Sequence, residues 1–322
     1  MTGGAGYIGS ITVERLAEAG HRVVVLDDLS RGYRSAVVPG VPLVVGNIGD
    51  RELVRDVIAE HKVDSVIHFA ARSIVSESME EPALYYETNV VAGCVLLDAM
   101  EAAGVRRLVF SSSAGVYGEP ESVPIRESHR TNPVNVYGDT KLVFERILGW
   151  RARSAGLSYI SLRYFNAAGA SSRFGEDHRP ETHLIPIALR VAAGTLPAIT
   201  VFGNDYDTPD GTCIRDYIDV RDLSDAHIAA LDALGQGRSG VYNLGSGEGW
   251  SVLNVLDAVG RVTGRSIPLT VGPRREGDPA RLVASSSLAE RELGWKPRHH
   301  ELEAMIEAAW AWARRFPSGY VA

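Results

Sequence analysis

Short apolar runs alternate with amphipathic stretches through the first half of the chain. The apolar runs lie at residues 22–26, 42–45, 65–70, 108–110 and 159–164. Between them, residues 51–61 and 89–103 carry apolar side chains at helical spacing. This alternation predicts an α/β fold with a doubly wound parallel sheet of the Rossmann type. Ligands bind beyond the carboxyl ends of such strands, so the residues that follow each run are candidates for function.

The segment TGGAGYIGS at the N-terminus has the glycine spacing of a dinucleotide-binding loop. Gly3 permits a sharp turn, Gly6 a close approach of the backbone to phosphate, and Gly9 tight packing of the next helix. A helix that begins near Tyr7 would direct its free N–H groups at a pyrophosphate. The following strand ends at Asp27, eighteen residues after Gly9. A carboxylate at this offset binds a ribose 2′-hydroxyl and repels a 2′-phosphate, which favours NAD as the cofactor.

The strand that should enter this glycine loop is missing from the pattern. Only Met1 and Thr2 precede Gly3, although this strand is central in a Rossmann sheet. Without it, the two neighbouring strands would lose backbone partners. We therefore expect a truncated first strand, through a start assigned a few residues late or a shortened chain.

The pattern changes after Asn166. Residues 170–183 and 203–213 are rich in Gly, Asp, Pro and His and predict long, functional loops. Residues 215–218 and a helix at 221–234 then return to the first domain. A strand at 241–244 precedes a second glycine loop at 245–247, which favours a tight turn with Ser251 as the cap of the next helix. The predicted NAD-binding Rossmann domain comprises residues 1–165 plus about 212–244, and a smaller α/β nucleotide-sugar-binding domain comprises 166–211 plus about 245–322.

Composition narrows the possible partners. The chain has 322 residues, enough for two domains, and a net charge of −7, which argues against nucleic acid or an anionic membrane as a partner. No apolar run approaches the roughly 20 residues of a membrane span. Cys94 and Cys213 are too few for a disulfide framework. We predict a cytoplasmic protein with reduced thiols.

Tyr137 and Lys141 form a Y-x-x-x-K pair at the start of a predicted helix, so both side chains lie on one helical face. A tyrosine with its usual pKa of about 10 is a poor base at neutral pH. A nearby ammonium favours the phenolate and lowers that pKa. We expect Tyr137 to take a proton from a hydroxyl while a hydride leaves the same carbon. Ser113, at the end of an upstream strand, would hold the oxygen.

Several longer motifs resemble the UDP-glucose 4-epimerases of the extended short-chain dehydrogenase/reductase family, and the likeness covers nearly the whole chain. They are HFAA at 68–71, SSSAGVYG at 111–118, YGDTK at 137–141, RYFNAAGA at 163–170, FGNDYDTPDGT at 202–212 and PRREGD at 273–278. The resemblance implies that bound NAD oxidises carbon 4 of a UDP-hexose to a ketone and then returns the hydride to the other face. UDP-glucose and UDP-galactose would interconvert without net redox change.

The family's cofactor residues carry over by position. Tyr7 and Ile8 would lie along the pyrophosphate, Asp27 and Asp28 at the adenosine ribose, and Asn47, in place of a usual aspartate, at the adenine. The whole implied cofactor set is Gly3, Gly6, Tyr7, Ile8, Gly9, Asp27, Asp28, Asn47, Ile48, Phe69, Ala70, Ala71, Asn89, Ser113, Tyr137, Lys141 and Phe165. Tyr137, Lys141 and Ser113 form the implied catalytic set.

The resemblance also implies a site for the UDP handle of the substrate. Its members are Asn166 and Leu184 at the diphosphate, Phe202 at the uracil, Arg215 and Arg275 at phosphate oxygens, and Asp278 at the uridine ribose. Leu282 holds a gate position where some members carry a bulky tyrosine. The smaller leucine leads to the hypothesis that N-acetylated sugars also enter.

Alternatives stay open at this point. A nucleotide-sugar dehydratase or decarboxylase needs an acid/base carboxylate beside the strand-end serine, and residues 113–117 contain none. A 4-epimerase for another UDP sugar, such as an N-acetylhexosamine, glucuronate or pentose, is poorly discriminated. A non-catalytic NAD-binding sensor would have no need of Ser113, Tyr137 and Lys141. The histidine spacing matches no zinc pattern, so no metal is expected. The resemblance implies a homodimer.

Overall fold

A computed structural model describes residues 1–275 and 278–320 of the chain. Its α-helices are α1 (Tyr7–Glu18), α2 (Arg51–Glu60), α3 (Val75–Glu80), α4 (Pro82–Tyr86), α5 (Ala92–Ala102), α6 (Val136–Ala155), α7 (Leu184–Ala192), α8 (Val220–Gly235), α9 (Val252–Thr263), α10 (Ser287–Leu293) and α11 (Leu302–Arg315). A π-helical turn, Glu87–Val91, joins α4 to α5, and 3₁₀ turns lie at Arg34–Ala36 and Ala114–Val116.

The β-strands are short at the edges of the fold and longer at its centre. They are β1 (Val25–Asp27), β2 (Leu43–Val45), β3 (Val66–His68), β4 (Arg107–Ser113), β5 (Ser158–Tyr164), β6 (Asn166–Ala168), β7 (Ile199–Phe202), β8 (Ile214–Arg215), β9 (Tyr217–Asp219), β10 (Gly240–Leu244), β11 (Trp250–Ser251), β12 (Leu269–Gly272) and β13 (Arg281–Leu282).

The main sheet is parallel throughout. One block has the order β10–β5–β4–β3 and the other pairs β1 with β2. Thr2 bridges to both Leu26 of β1 and His68 of β3, which joins the two blocks. The chain order reverses at this point, because β1 and β2 lie on one side of Thr2 and β3 to β5 on the other. The predicted doubly wound α/β fold is confirmed, and its switch point lies beside the glycine loop.

Residues 1–3 occupy the position of the strand that the pattern lacked. The amide of Leu26 donates to the carbonyl of Met1 at 2.9 Å, and the amide of Gly3 donates back to Leu26 at 2.9 Å. On the other side, Phe69 N–H donates to the carbonyl of Thr2 at 3.0 Å. The neighbouring strands therefore find backbone partners at the edge from which the glycine loop leaves the sheet.

Helices cover both faces of the main sheet. Side chains of α2, α5 and α6 form one core with β3 and β4, in which Leu108, Phe144 and Leu148 are buried. On the opposite face, α8 packs on β4 and β5 beside α1, with Leu223 and Ala226 buried. Burial on both faces explains why the central strands read as continuous apolar runs.

A separate apolar core lies in the second half of the chain. It is built from α7, α9 and α11 against the parallel pair β7–β12. Smaller strand groups also occur: β8 pairs with β11 and β13, and β6 pairs with β9. The division into two domains stays a prediction, and Ala289 and Trp295, assigned above to the second domain, pack in the core of the main sheet.

Two local details differ from the predicted pattern. The first apolar run forms a strand only from Val25, because its partner β2 spans just three residues. The helix predicted from residue 89 begins as a π-helical turn. In the second glycine loop, residues 245–247, the chain bends at Gly245 and Gly247, and Gly247 has a φ of +81°. Ser251 caps α9 with Asn254 in a capping box, as the sequence predicts.

Candidate active site

The glycine loop is shaped by close backbone contacts. Gly3 has a φ of +70°, and a Cβ there would lie 2.5 Å from the amide nitrogen of Ala70. A Cβ on Gly9 would lie 2.1 Å from the carbonyl oxygen of Gly3. At Gly6, by contrast, a Cβ would meet only that carbonyl, at an ordinary 3.6 Å. Gly6 is also the N-cap of α1 and has no side chain to cap the helix, so the first-turn amides suit a phosphate.

Asp27 connects the end of β1 to the glycine loop. Its carboxylate accepts from the amides of Ala5 and Leu29, each at 2.9 Å, and the side chain is buried. Burial raises the pKa of this carboxyl, and the two backbone hydrogen bonds oppose that shift. Asp28, the next residue, is exposed and accepts from Ser30. The structure thus gives Asp27 a second role, holding the loop that would carry the pyrophosphate.

The remaining predicted cofactor residues follow the strand ends around this loop. Asn47 accepts from the amide of Gly49 at 2.7 Å. The amide of Asn89 is occupied within the protein, since it accepts from Arg72 N–H at 2.8 Å and donates to Thr140 at 3.1 Å. Asn89 therefore fixes the segment after β3. The others are placed at strand ends or in the adjoining segments: Ile48, Phe69, Ala70, Ala71 and Phe165.

Helix α6 presents the Y-x-x-x-K pair to the end of β4. Asn135 caps the helix by accepting from the amide of Gly138 at 2.8 Å, and Ser78 accepts from the amide of Tyr137 at 3.1 Å. The ammonium of Lys141 donates to the carbonyl of Ser111 at 2.8 Å and lies 5.7 Å from the centre of the Tyr137 ring. The structure therefore brings the helix pair to the serine strand end.

Burial shifts the pKa of Tyr137 in the direction opposite to the one that the sequence predicts. It raises the pKa of Tyr137 above 10, and the hydrogen bond with Ser113 opposes that rise. Burial also lowers the pKa of Lys141 from 10.5 to about 7, while the negative charge of Glu145 raises it. The expected lowering of the Tyr137 pKa by Lys141 is therefore not produced by the protein groups alone. The desolvation of Tyr137 outweighs the effect of the Lys141 ammonium on its pKa. Burial also makes that ammonium easier to deprotonate.

Four of the predicted substrate residues form two contacting pairs in the structure. Arg215 forms an ion pair with Asp278, 63 positions further along the chain. The guanidinium of Arg275 lies over the ring of Phe202, 4.2 Å from its centre. Asn166 begins β6, and its amide donates to the carbonyl of Asp216 at 3.0 Å. These contacts bring together residues from loops that are distant in sequence.

Leu184 begins α7 at the end of a charged loop. His183 lies between two carboxylates, with Nδ1 2.8 Å from Glu176 and 2.8 Å from Glu181. His178 Nδ1 is 2.9 Å from the same oxygen of Glu176. The carboxylates hold the pKa of His183 well above its usual value, and the histidines lower that of Glu176. These four side chains are also close enough to hold a metal ion, although their mutual contacts already pair them.

The comparisons with known proteins decide the family. The profile of the NAD dependent epimerase/dehydratase family matches residues 1–245. The chain belongs to this family. Its cofactor is NAD, in agreement with the glycine loop and Asp27.

Similar proteins extend the match over the full chain. A UDP-glucose 4-epimerase of Halalkalibacterium halodurans is 50% identical over 99% of this chain and 96% of its own. A crystal structure of a UDP-glucose 4-epimerase matches with a TM-score of 0.97 and 48% identity, covering 100% of this chain and 98% of that chain. The Brucella ovis UDP-glucose 4-epimerase, solved in complex with NAD, matches with a TM-score of 0.93 and 45% identity over 96% of each chain.

None of the helices described for residues 1–275 and 278–320 has the length and apolar character needed to cross a bilayer.

Two residues that position Tyr137, Ser78 and Asn135, were not identified from the sequence. Asn135 had a usable signal, because an asparagine just before an amphipathic run is a common N-cap. Ser78 had none, since its contact joins residues 59 positions apart.

Proposed function

We propose that the protein interconverts UDP-glucose and UDP-galactose by oxidation and re-reduction at carbon 4. The observation that carries this conclusion is the convergence of Ser113, Tyr137 and Lys141 at the strand edge that also carries the glycine loop. Relatives of about 50% identity over the whole chain are UDP-glucose 4-epimerases. The protein is thus an NAD-dependent nucleotide-sugar 4-epimerase, an isomerase.

NAD, when bound, supplies an oxidised nicotinamide that accepts a hydride from carbon 4 and later returns it. Tyr137 removes the proton of the 4-hydroxyl, and its phenol already shares a hydrogen bond with Ser113. Ser113 holds the sugar oxygen through both half-reactions, with the amide of Gly115 donating to its hydroxyl at 3.1 Å. The Lys141 ammonium stabilises the phenolate. Tyr137 then returns the proton to the oxygen of the 4-keto sugar.

Inversion requires the sugar to turn over while its nucleotide stays bound. We assign the UDP handle to the residues around β8, where Arg215 and Arg275 offer guanidinium forks to the diphosphate. Phe202, beneath Arg275, presents an aromatic face to the uracil. We also assign Asp278, the ion-pair partner of Arg215, to the uridine ribose. Asn166 and Leu184 complete the diphosphate side. The same assignment keeps the proposed division into an NAD-binding and a nucleotide-sugar-binding domain.

The breadth of substrate is a second proposal, which rests on Leu282. This residue is half-buried at the end of β13 and packs in an apolar cluster with Phe165 and Ala284. A leucine leaves more room than the tyrosine that the family resemblance implies for some members, so we propose that UDP-N-acetylglucosamine is also accepted. A UDP-Glc/GlcNAc 4-epimerase of Campylobacter jejuni is among the similar structures, with 37% identity.

We further propose that the enzyme acts in the cytoplasm as a homodimer. The support for a dimer is an apolar surface on the helices of the first domain. Val91, just before α5, is 58% exposed, and Trp150 on α6 is 64% exposed. Two copies that pair through these helices would remove both side chains from water. Sedimentation of the wild type and a Trp150→Glu variant tests this arrangement, because a charged residue at the interface would favour the monomer.

A panel assay tests the catalytic proposal. The purified protein is incubated with UDP-galactose, UDP-N-acetylgalactosamine, UDP-glucuronate and UDP-xylose, with and without added NAD⁺, and the products are resolved chromatographically. We expect UDP-glucose from UDP-galactose. A protein that binds NAD but converts none of these substrates would instead be a sensor.

A further inference from the structure

Beneath the catalytic pair, α6 meets β4 in three successive contacts. Tyr137, Lys141 and Glu145 follow one another at four-residue intervals and so share one helical face. Each contacts a different residue of the serine run at the end of β4. Tyr137 bonds to the hydroxyl of Ser113, Lys141 donates to the carbonyl of Ser111 at 2.8 Å, and Glu145 accepts from the hydroxyl of Ser112 at 2.6 Å.

Glu145 lies one helical turn beyond Lys141 and is almost fully buried. Its side chain is 5% exposed, and that of its partner Arg163 on β5 is 7% exposed. Arg163 donates through Nε at 2.9 Å and through Nη2 at 2.5 Å, a bidentate pair. Arg163 also donates to the hydroxyl of Tyr117, which follows the Ser113 turn. The carboxylate thus fixes the helix to two strands at once.

We propose that Glu145 is a positioning residue for the reaction: its buried carboxylate holds α6 in register with the serine strand end and supplies the negative charge that keeps Lys141 an ammonium beneath Tyr137. This inference rests on the proposed function. Glu145 lies outside the Y-x-x-x-K pair and is distinct from the strand-end serine, Ser113. In a buried site, a carboxylate one helical turn from the lysine acts through little water.

The surroundings of Lys141 make this charge important. The groups that face it are the rings of Phe110 and Tyr137, the carbonyl of Ser111, the imidazole of His68 and the carboxylate of Glu145. Of these, Glu145 is the carboxylate, and Arg163 pairs with it through two hydrogen bonds. Burial lowers the pKa of His68 to about 3, so the imidazole is neutral at neutral pH.

The sign of the expected effect follows from this arrangement. Without the carboxylate, the lysine loses its proton at lower pH, because the ammonium has lost its stabilising neighbour. We therefore expect Glu145→Gln to move the alkaline limb of the kcat profile to lower pH by about one unit. On the alkaline limb, well above the wild-type midpoint, kcat would then fall by about tenfold at a given pH. KM for UDP-galactose would change little, since Glu145 does not reach the substrate residues.

The experiment compares purified holoenzymes. Ser112→Ala removes the hydroxyl that contacts the carboxylate but keeps the charge, so its alkaline limb should stay where the wild type has it. Glu101→Gln removes an exposed carboxylate from an arginine pair and serves as the surface control. If Glu145→Gln does not fold because Arg163 is left unpaired, the double variant Glu145→Gln/Arg163→Gln is compared with Arg163→Gln, so that the two proteins differ only in the carboxylate.

A second readout does not depend on turnover. The ammonium of Lys141 is followed against pH by NMR of ¹³C-labelled lysine in each holoenzyme, assigned by its loss in Lys141→Met, and we expect it to lose its proton at lower pH in the Glu145 variants. A folded, NAD-loaded Glu145 variant with the kcat profile and lysine titration of its comparison protein would overturn the inference. An equal limb shift in Ser112→Ala would also overturn it, since that shift would not come from the charge. An inactive wild type would count against the proposed function alone, because the titration still tests Glu145.

Discussion

Removing the hydroxyl of Tyr137 separates chemistry from folding in this protein. In Tyr137→Phe the ring keeps its place, because the backbone amide still donates to Ser78 at 3.1 Å and Asn135 still caps the helix. The variant loses the hydrogen bond with Ser113, and Ser113 retains the amide of Gly115 as a partner. We therefore expect the free energy of unfolding to change by no more than about 1 kcal/mol.

The effect on turnover should be far larger. Loss of a general base lowers the rate by about 10²–10⁴, which corresponds to about 3–5 kcal/mol of lost transition-state stabilisation. The assay is conversion of UDP-galactose to UDP-glucose, coupled to a UDP-glucose dehydrogenase, with NAD content measured after denaturation. We expect KM and bound NAD close to those of the wild type.

Tyr242→Phe is a matched control for the loss of a buried tyrosine hydroxyl. Tyr242 on β10 is 2% exposed, and its hydroxyl donates to Glu292 at 3.0 Å, on the opposite side of the fold from α6. Tyr242→Phe removes the same atom from a buried site and should retain most of the wild-type kcat. Turnover of Tyr137→Phe within tenfold of the wild type, with NAD bound, would show that another group moves the proton.

Three further predictions address the loop, the charged cluster and the gate. Gly9→Ala should lose NAD binding, measured by fluorescence titration, because its Cβ would lie 2.1 Å from a backbone oxygen, whereas Gly149→Ala on α6, with 3.6 Å to its nearest neighbour, should bind normally. Glu176→Gln should destabilise the protein most above the usual carboxyl pKa and below the raised pKa of His183; chemical denaturation should show this difference vanish as pH falls and the wild-type carboxylate is protonated. Leu282→Tyr should abolish turnover of UDP-N-acetylglucosamine and spare that of UDP-galactose, and equal loss of both would refute a gate.

The sequence predicted the features whose residues lie close together along the chain. The glycine loop, the strand ending in Asp27 and the Y-x-x-x-K spacing each lie within one turn, strand or helix, so their patterns predicted NAD as the cofactor and one helical face for Tyr137 and Lys141. The parallel sheet followed from the alternation of elements. Glu145 was also within reach, because it lies one further helical turn beyond Lys141.

Tertiary structure decided what depends on contacts between distant segments. Arg215 meets Asp278 across 63 positions, and Asp27 holds the amide of Ala5 across the sheet edge. No periodicity encodes such pairs, because they depend on which loops the topology brings to one edge. The pKa of Tyr137 was decided in the same way. The sequence predicted the neighbouring cation, but only the packed structure shows that burial raises the pKa of Tyr137 and lowers the pKa of Lys141.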